Sequence, residues 1–399
     1  MKTIVIVGGG YAGVICANRL RSSLSDAEAA SVRIRLINPD EHFYERIRFH
    51  EVAAGTRDTA AIPLADMLHP DVQLTIGTAA HIDPAKRVVD VREARGGLST
   101  YAYDKLVYAV GSGDSTDRVK GAGEFTYAIA DPHSATAAAG SIAAARAGQR
   151  VVVVGGGFTG VETAAEVAEK NPELRVTLVT SGPLVRPMRA RARRSITKRL
   201  NRLGVDIENR PFVSSVTEGT LHFVDESTMV FDVCLWTAGF SVPDLARDSG
   251  LACDEVGRLR VDEHLRSIDV PDILGAGDAV RLPEQYGQHL RMGCAAALPL
   301  GGAAADVLLA LLRRRPLPIT SVGFLVQCIS IGRRDGYVQF VRSNDTATPF
   351  AIGGSLGARF KEMICTMTVD GPRKERSKPG AYWAPKGPKP LADGELTRA

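Results

Sequence analysis

The stretch VVVVGGGFTGVE at residues 151–162 has a near copy, IVIVGGGYAGVI, at residues 4–15. In each copy a run of β-branched apolar residues predicts a short, buried parallel strand. Glycines in the pattern G-x-G-x-x-G follow the run, and the next residues are typical of a helix. The glycine pattern alone is a weak signal, but a glycine turn between a strand and a helix is the fingerprint of dinucleotide binding. Two copies in that context predict two dinucleotide-binding units.

The glycines of such a loop have separate roles. In the first copy Gly8 permits the tight turn, Gly10 lets the backbone approach a pyrophosphate, and Gly13 lets the helix and strand pack closely. The phosphates then lie at the positive end of the helix dipole, where free N–H groups point outward. The residues predicted to contact a dinucleotide are Gly8, Gly10, Tyr11, Ala12 and Gly13 in the first copy and Gly155, Gly157, Phe158, Thr159 and Gly160 in the second.

The repeat extends beyond the two loops. Each loop is followed, after several short alternating strands, by an apolar strand that ends in glycine: DKLVYAVG at residues 104–111 and DVCLWTAG at residues 232–239. Each repeat therefore comprises a strand–helix–strand core, a small antiparallel meander and a closing strand. The predicted fold class is α/β, with two Rossmann-like (three-layer ββα) dinucleotide-binding domains.

A third motif, VPDILGAGDAVRL at residues 270–282, completes an ordered set. The three motifs together resemble those of the pyridine nucleotide-disulfide oxidoreductase superfamily of flavoproteins. The resemblance implies that the first fold holds FAD and that an inserted second fold holds NADH or NADPH. It also implies that Asp278 accepts a hydrogen bond from the ribityl chain of the flavin, although a helix N-cap is the alternative for this carboxylate. The remaining predicted cofactor contacts are Asn38, Arg46, Gly111, Ala279, Ala295, Thr180, Arg186 and Gly239.

The resemblance also implies how the chain is divided into domains. A discontinuous FAD-binding domain comprises residues 1–112 and 245–320, and the NAD(P)-binding domain, residues 113–244, is inserted in it. A small α+β C-terminal domain covers residues 321–370. We expect the basic, proline-rich tail, residues 371–399, to be poorly ordered.

The segment Met292–Leu312 is long and apolar enough to span a bilayer. It contains Pro299, Asp306 and several glycines, so we predict a buried helix beside the cofactor instead. The chain starts with an apolar strand and not with a signal peptide, which predicts a cytoplasmic protein. Its net charge of +4 does not favour nucleic acid as a partner.

The cysteine spacing narrows the choice among the branches of the superfamily. The six cysteines include no pair at C-x-x-C or C-x-x-x-x-C spacing, so we predict neither a redox-active dithiol nor a metal site. The stretch INPDEHFYERIRFHEVAAG at residues 37–55 instead resembles type II NADH dehydrogenases and apoptosis-inducing-factor-like quinone reductases. In family members with this motif the glutamate approaches the nicotinamide, so the resemblance implies Glu162 as the candidate catalytic residue. The alternative is that Glu162 only interacts favourably with the helix dipole from the first turn of the helix. Candidate polar groups of the pocket are Arg46, Arg48 and His50.

Three positions depart from the family pattern. Asn38 stands where the FAD fold usually ends its second strand in an acid, although an amide can still bond one ribose hydroxyl. Ala295 and Pro299 stand where type II NADH dehydrogenases carry two glutamines at the quinone site. These two positions leave the electron acceptor open.

The electron donor is predicted from the second strand of the second repeat. An NAD-specific fold usually ends this strand in an acid that binds the ribose hydroxyls, but here Thr180 and Ser181 stand there. Arg186 and Arg189 follow within a few residues and could pair with a 2′-phosphate. We therefore predict that NADPH is accepted at least as well as NADH.

The predicted function is an FAD-dependent NAD(P)H oxidoreductase that passes hydride from the nicotinamide to FAD and then electrons to a quinone-like or other diffusible acceptor. One alternative is a reductase whose basic clusters dock an acidic, ferredoxin-type protein. Another is a slow redox-sensing protein that binds FAD and NAD(P)H.

A helix predicted at residues 358–369 bears on membrane contact. It carries an apolar face made of Phe360, Met363, Ile364 and Met367, and the basic tail follows it. This combination suits a peripheral membrane contact. The alternative is that the face packs on the C-terminal sheet or on a second subunit of a homodimer.

Overall fold

The computed structural model describes residues 1–94 and 96–390. Its strands are β1 (Lys2–Val7), β2 (Val32–Asn38), β3 (His42–Tyr44), β4 (Ala61–Pro63), β5 (Gln73–Asp83), β6 (Val88–Glu93), β7 (Leu98–Ala102), β8 (Lys105–Tyr108), β9 (Tyr127–Ala128), β10 (Arg150–Val154), β11 (Arg175–Thr180), β12 (Asp206–Asn209), β13 (Val213–Thr217), β14 (Thr220–Phe223), β15 (Thr228–Val230), β16 (Val233–Trp236), β17 (Leu259–Arg260), β18 (Ile273–Gly275), β19 (Val280–Arg281), β20 (Val326–Ser330), β21 (Gly336–Val341) and β22 (Ala347–Gly353). Its α-helices are α1 (Tyr11–Ser23), α2 (Asp26–Ala29), α3 (Phe49–Ala53), α4 (Leu64–Met67), α5 (Ala122–Phe125), α6 (Pro132–Ala144), α7 (Phe158–Lys170), α8 (Ala190–Arg202), α9 (Leu245–Asp248), α10 (Glu284–Gly287), α11 (Cys294–Leu312) and α12 (Ser355–Lys374). Short 3-10 helices cover Arg46–Arg48 and Thr116–Arg118.

The first sheet contains the N-terminal strand and also a strand from late in the chain. Its order is β18-β8-β1-β2-β5-β6-β7. β1 pairs in parallel with β2 and β8, β18 pairs in parallel with β8, and β5, β6 and β7 form an antiparallel meander. The apolar residues of β1 are buried in one hydrophobic core with α1 and α11. This burial on both sides explains why β1 reads as a continuous apolar run.

The second sheet repeats the parallel part of this arrangement. Its order is β12-β11-β10-β16-β9, with parallel pairing between neighbours, and its meander β13-β14-β15 is a separate antiparallel sheet. In both sheets the strand that enters the glycine loop lies between the next core strand and the closing strand. The predicted α/β class with two Rossmann-like domains is confirmed. The domain boundaries stay predictions.

Helix α11 is long and apolar enough to cross a membrane, which singles it out among the helices of the described residues. Most of its length is nevertheless buried, and it packs along α1. At Gly301 the two helices are so close that a Cβ would overlap the carbonyl oxygen of Ala12. α11 is therefore a core helix, as predicted.

The C-terminal part is a three-stranded antiparallel sheet, β20-β21-β22, against which α12 packs. α12 buries Cys365 and Val369 inside the protein, whereas Met363 and Met367 of the predicted apolar face are 47% and 49% exposed. The predicted face is therefore divided. Phe360 packs edge-on against Phe340 of β21, with ring centroids 6.5 Å apart, so the alternative of packing on this sheet holds for that residue, whereas Met363 and Met367 lie at the surface.

The segment after residue 370 differs from the expectation of a poorly ordered tail. α12 continues to Lys374, and Glu375 is fully buried. Its carboxylate accepts hydrogen bonds from Arg19 of α1 at 2.6 and 3.1 Å. The expectation therefore needs correction for residues 371–390, because this ion pair and hydrogen bonds from the Asn18 and Ser22 side chains of α1 to backbone carbonyls attach the segment to the first fold. Residues 391–399 lie outside the described residues.

Candidate functional site

The first glycine loop connects β1 to α1. Gly8 has a φ of +112°, and a Cβ there would overlap the carbonyl oxygen of Ala109. A Cβ on Gly13 would overlap the carbonyl oxygen of Gly8 in the same way. In contrast, apart from the two adjacent residues, no atom of the described part of the chain lies within 4 Å of the place that a Cβ on Gly10 would take. The loop is thus closed on its inner side and open at Gly10, a shape that suits a diphosphate above the first turn of α1, where Tyr11 and Ala12 lie.

Asn38, at the end of β2, holds this loop in place. Its Oδ1 accepts a hydrogen bond from the Gly9 N–H at 2.8 Å, and its Nδ2 donates one to the carbonyl oxygen of Asp40 at 2.6 Å. An ionised acid at this position could accept the first bond but could not donate the second. Asn38, which replaces the acid usual in the family, therefore has a structural role. Its contact with the ribose stays a prediction.

Asp278 joins three segments of the first fold. Its Oδ2 accepts a hydrogen bond from the Ser112 hydroxyl at 2.8 Å, and its Oδ1 accepts one from the Gly293 N–H at 2.7 Å, directly before α11. Asp278 is not itself the N-cap of a helix, since β19 follows it and Gly293 is the N-cap residue of α11. Its contact with the ribityl chain stays a prediction. Arg46 donates to the carbonyl oxygen of Ser112 and lies beside Gly111, so these predicted residues are brought together. Of the two remaining predicted contacts here, Ala279 is buried and Ala295 is exposed in the first turn of α11.

The second glycine loop repeats the geometry of the first. Gly155 has a φ of +124°, and a Cβ there would lie 2.6 Å from the Thr237 hydroxyl oxygen. A Cβ on Gly160 would overlap the carbonyl oxygen of Gly155, whereas Gly157 again has open space around it. The predicted residues Phe158 and Thr159 begin α7. Both loops therefore offer the same kind of diphosphate cradle.

The predicted donor-binding residues lie around the end of β11. The Thr180 hydroxyl donates to the carbonyl oxygen of Gly182 at 2.8 Å. Arg186 lies against the same glycine, whereas Arg189 donates to the carbonyl oxygen of Ala347 in the C-terminal sheet at 3.4 Å. Arg186 therefore lies at the turn after β11 and Arg189 at the C-terminal sheet, while their contact with a 2′-phosphate stays a prediction. Gly239 lies elsewhere, beside Ser115 at the closing strand of this fold.

Glu162 of α7 is buried where the second fold meets the C-terminal helix. Its Oε1 lies 3.0 Å from the Lys361 Nζ of α12 and accepts a hydrogen bond from the Ser330 N–H, also at 3.0 Å. His50 of α3 completes the group, with its Nε2 3.4 Å from the Ser330 hydroxyl. Elements from all three parts of the chain thus supply one buried polar cluster. Glu162 serves here as an ion-pair partner, while its approach to the nicotinamide stays a prediction.

The titration behaviour of this cluster follows from burial and from the ion pair. Burial acts to raise the pKa of Glu162, but the Lys361 ammonium and the hydrogen bond from the Ser330 N–H more than offset it, so the pKa lies below its usual value. Burial acts to lower the pKa of Lys361, and Glu162 holds it well above its usual value instead. Burial lowers the pKa of His50. At neutral pH the cluster is therefore a charged carboxylate–ammonium pair next to a neutral imidazole.

A second group of charges lies beside this cluster and ties α3 to the C-terminal part. Arg48 pairs with Glu51 at 2.7 Å and with Glu362, and Arg333 pairs with Glu51 at 2.8 Å. Glu166 of α7 faces the same arginine at 3.5 Å. The sequence suggested Arg48 as a polar group of the cofactor pocket. In the structure its guanidinium instead forms ion pairs that hold α3 against the C-terminal part.

Four residues of the site were not found from the sequence: Ser112, Ser330, Lys361 and Glu166. Each contacts its partner across more than 100 positions of the chain, so no local spacing marks it. Lys361 carries no such signal either, because it stands between Phe360 and Glu362 and lies off the predicted apolar face.

Comparison with known proteins extends these observations to the whole chain. The model of the pyridine nucleotide-disulphide oxidoreductase family matches residues 2–293, which include both glycine loops and Asp278. The chain belongs to this family. The resemblance of the sequence motifs to those of this family is thereby confirmed. The prediction of an oxidoreductase that uses FAD and NADH or NADPH is confirmed with it.

Relatives of this flavoprotein cover most of its length. The NADH dehydrogenase-like protein YutJ of Bacillus subtilis is 26% identical over 344 residues, which are 84% of this chain and 92% of the relative. The type II NADH:quinone oxidoreductase Ndh of Mycobacterium tuberculosis is 28% identical over 319 residues, 69% of this chain and 66% of the relative. The crystal structure of the sulfide:quinone oxidoreductase of Aquifex aeolicus has a TM-score of 0.79 over 95% of this chain and 93% of that one, at 18% identity, which shows a shared fold.

The residues present fit the cofactors of this oxidoreductase family. The open space at Gly10 and Gly157 leaves room for two diphosphates, and the glycines around them allow the close backbone approach that diphosphate binding needs. All six cysteines are free. Which side chains contact each cofactor stays a prediction.

Proposed function

We propose that the protein oxidises NADPH or NADH and passes the electrons to a quinone-like or other diffusible acceptor. FAD, held by the first loop and by Asp278, supplies a ring that accepts a hydride and releases two electrons one after the other or together. The second loop would hold the nicotinamide nucleotide, and Glu162 in α7 lies one turn beyond it. The observation that carries the proposal is the buried Glu162–Lys361 pair.

The need for such a pair follows from the proton balance. The reduction of a quinone by NAD(P)H and one proton gives NAD(P)⁺ and a hydroquinone. The hydride brings two electrons and one proton, so the second proton has to reach a site from which water is largely excluded. Lys361 Nζ, kept protonated by Glu162, would stabilise negative charge on an acceptor oxygen and donate a hydrogen bond to it. Ser330 and His50 would hold the carboxylate in position.

The nature of the acceptor is supported by a relative and limited by the sequence. Ndh of Mycobacterium tuberculosis carries quinone in its name. In this chain Ala295 and Pro299 replace the glutamine pair expected of such a site, so the amide contacts to a quinone ring are missing at these positions. We therefore propose a small quinone-like acceptor that diffuses to the enzyme. The protein would act in the cytoplasm, and a peripheral membrane contact is the alternative.

Separate measurement of the two half-reactions tests this proposal. The FAD-loaded enzyme is reduced anaerobically with NADPH or NADH and then mixed with a short-tailed quinone, ferricyanide, oxygen or an acidic ferredoxin. We expect the quinone to reoxidise it fastest. Fast reoxidation by the ferredoxin alone, or slow reoxidation by every acceptor, would contradict the proposal and favour the ferredoxin reductase or the redox sensor.

The role of Lys361 is tested in the same assay. The Lys361→Met variant should slow reoxidation by the quinone by about 100-fold, as expected when a hydrogen-bond donor to the developing negative charge is removed. Reduction by NAD(P)H should change much less. Lys374→Met, a change of an exposed lysine on the same helix, is the matched control. Equal reoxidation rates for the two variants would refute a role of Lys361 in the reaction.

A further inference from the structure

His50 is a buried histidine, and the proposed function uses it only to hold the Glu162 carboxylate. Its side chain is 3% exposed on α3, and four charged groups face it. These are Glu51 of the same helix, Glu162 of α7, Lys361 of α12 and Arg333 after β20. Helix α6, which also packs on α3, contributes alanines to this region. Histidine is the side chain whose ordinary pKa allows it both to take up and to release a proton near neutral pH.

A continuous series of polar contacts joins His50 to Lys361. His50 Nε2 lies 3.4 Å from the Ser330 hydroxyl oxygen, and that hydroxyl donates to Glu162 Oε1 at 3.3 Å. The same Oε1 lies 3.0 Å from Lys361 Nζ. Because an ionised carboxylate only accepts hydrogen bonds, the single hydroxyl proton of Ser330 points to Glu162. The hydroxyl oxygen then accepts from His50, so the neutral imidazole carries its proton on Nε2.

The other side of the imidazole is open to a proton from water. His50 Nδ1 has no hydrogen-bond partner among the described residues, and it is not one of their fully enclosed unpartnered polar atoms. A water molecule can therefore reach it. Burial keeps the pKa of His50 below its usual value, so Nδ1 has a free lone pair at neutral pH. The ring thus has an acceptor on the side of water and a donor on the side of Ser330.

The Glu162–Lys361 pair needs a supply of protons of this kind. Its two side chains are only 8% and 12% exposed, so bulk water has little access to them. Once Lys361 has passed a proton to a negatively charged acceptor oxygen, the Glu162 carboxylate is left as a buried charge without its partner. Such a charge is strongly destabilising, so the proton has to be replaced.

We propose that His50 relays a proton from water through the Ser330 hydroxyl to the Glu162–Lys361 pair, which passes it to the reduced acceptor. This inference rests on the proposed function, because it assigns a route to the second proton of that reaction. At each position one N–H or O–H bond breaks as the next one forms. Water protonates Nδ1, Nε2 releases its proton to Ser330, and an O–H bond forms on the acceptor. Electrons do not follow this route, and exchange with water returns the ring proton to Nε2.

Reoxidation by two acceptors tests the relay. The FAD-loaded enzyme is reduced anaerobically with NADPH or NADH and mixed with a short-tailed quinone, which needs a proton, or with ferricyanide, which takes electrons alone. His50→Gln keeps an N–H donor beside Ser330 but cannot carry a proton. We expect it to slow reoxidation by the quinone about 100-fold, as for a lost proton donor, and to leave the ferricyanide rate nearly unchanged. His133→Gln, a change of an exposed histidine on α6, is the matched control and should alter neither rate.

Ser330 provides a second pair of variants. Ser330→Ala removes the hydroxyl but keeps the backbone N–H that bonds to Glu162. It should slow the quinone reaction as His50→Gln does. Ser330→Thr, which restores a hydroxyl, should recover most of the rate.

A spectroscopic measurement tests the route without turnover. In ¹⁵N NMR of the histidine-labelled, FAD-loaded enzyme, the His50 signals are those that disappear in His50→Gln. We expect a neutral ring with its proton on Nε2 at pH 7, because only this form donates to Ser330 while Ser330 donates to Glu162.

Three outcomes would overturn the inference. One is a reaction of His50→Gln with the quinone that is as fast as that of the wild type. The second is an equal slowing with quinone and ferricyanide, which would indicate a structural defect. The third is a ring proton on Nδ1 at pH 7. Failure of the proposed function looks different, since the quinone would then reoxidise the wild type as slowly as it does the variants.

Discussion

Glu166 gives the sharpest prediction about stability. It lies on α7 one turn after Glu162, its side chain is fully buried, and its Oε1 accepts a hydrogen bond from the Thr56 hydroxyl at 2.6 Å. Its Oε2 has no hydrogen-bond partner within the described residues. Arg333, at 3.5 Å, is shared with Glu51, at 2.8 Å, and Glu169 follows on the same helix. Burial raises the pKa of Glu166 to about 7, against an ordinary value of 4.5.

The direction of the pH effect follows from these two values. Between pH 4.5 and about 7 the folded protein keeps a proton on Glu166 that the unfolded chain has already released. The contribution of this proton to the free energy of unfolding is fully present below pH 4.5 and is lost as the pH rises to about 7. At about 1.4 kcal/mol per pKa unit, the loss amounts to about 3 kcal/mol. Glu166→Gln, which keeps the shape and stays neutral, removes this pH dependence.

Urea unfolding of the FAD-loaded protein at several pH values between 4.5 and 8.5 measures the effect. We expect the free energies of unfolding of wild type and Glu166→Gln to converge at the acidic end. At pH 8 the variant should be more stable by up to about 3 kcal/mol. Glu173→Gln, a change of an exposed acid, is the matched control. A constant difference between wild type and Glu166→Gln at all pH values would refute the reasoning.

Two further predictions concern the first glycine loop and α12. Gly13→Ala should destabilise the protein by about 2 kcal/mol or more, because the new Cβ overlaps the carbonyl oxygen of Gly8, whereas Gly10→Ala should leave stability nearly unchanged and weaken FAD binding. Thermal unfolding and FAD release from both variants check this; equal stability of the two would contradict it. Met363 and Met367 are exposed beside the basic end of α12, but a protein that acts in the cytoplasm should not bind anionic vesicles at moderate salt, with or without a double Met→Ser change at these positions. Co-sedimentation checks this; binding by the wild type that the double variant loses would contradict it and support the peripheral membrane contact.

The glycine loops could be predicted from the sequence because their signals are local. A strand, three glycines and a helix lie within about twenty residues, and the steric demands at Gly8 and Gly155 leave few alternatives to glycine. The repeat then gave the fold class. Asp278 could be singled out for the same reason, since its motif is a short strand with a fixed turn, while its contact with the flavin stays a prediction.

The buried charges could not be predicted in this way. The Glu162–Lys361 pair joins helices from two different parts of the chain, and nothing in the sequence near either residue specifies the other. The prediction of a poorly ordered tail was wrong for residues 371–390 for a related reason. Its proline and lysine content predicted disorder, but one acid in it, Glu375, finds Arg19 at the other end of the chain. Composition averages over residues and therefore misses a single specific contact.

The pairing of β18 with β8 has a consequence for how the protein is made. The first sheet receives its last strand only when residues 273–275 are available, after the whole second sheet has been synthesised. The Arg19–Glu375 contact is later still. Because domains tend to fold as units while the chain emerges from the ribosome, the nucleotide fold in the middle can complete itself first. The N-terminal strands are synthesised first, but the edge of their sheet stays unpaired until β18 has been made. During that interval the chain is most exposed to misassembly and to binding by chaperones.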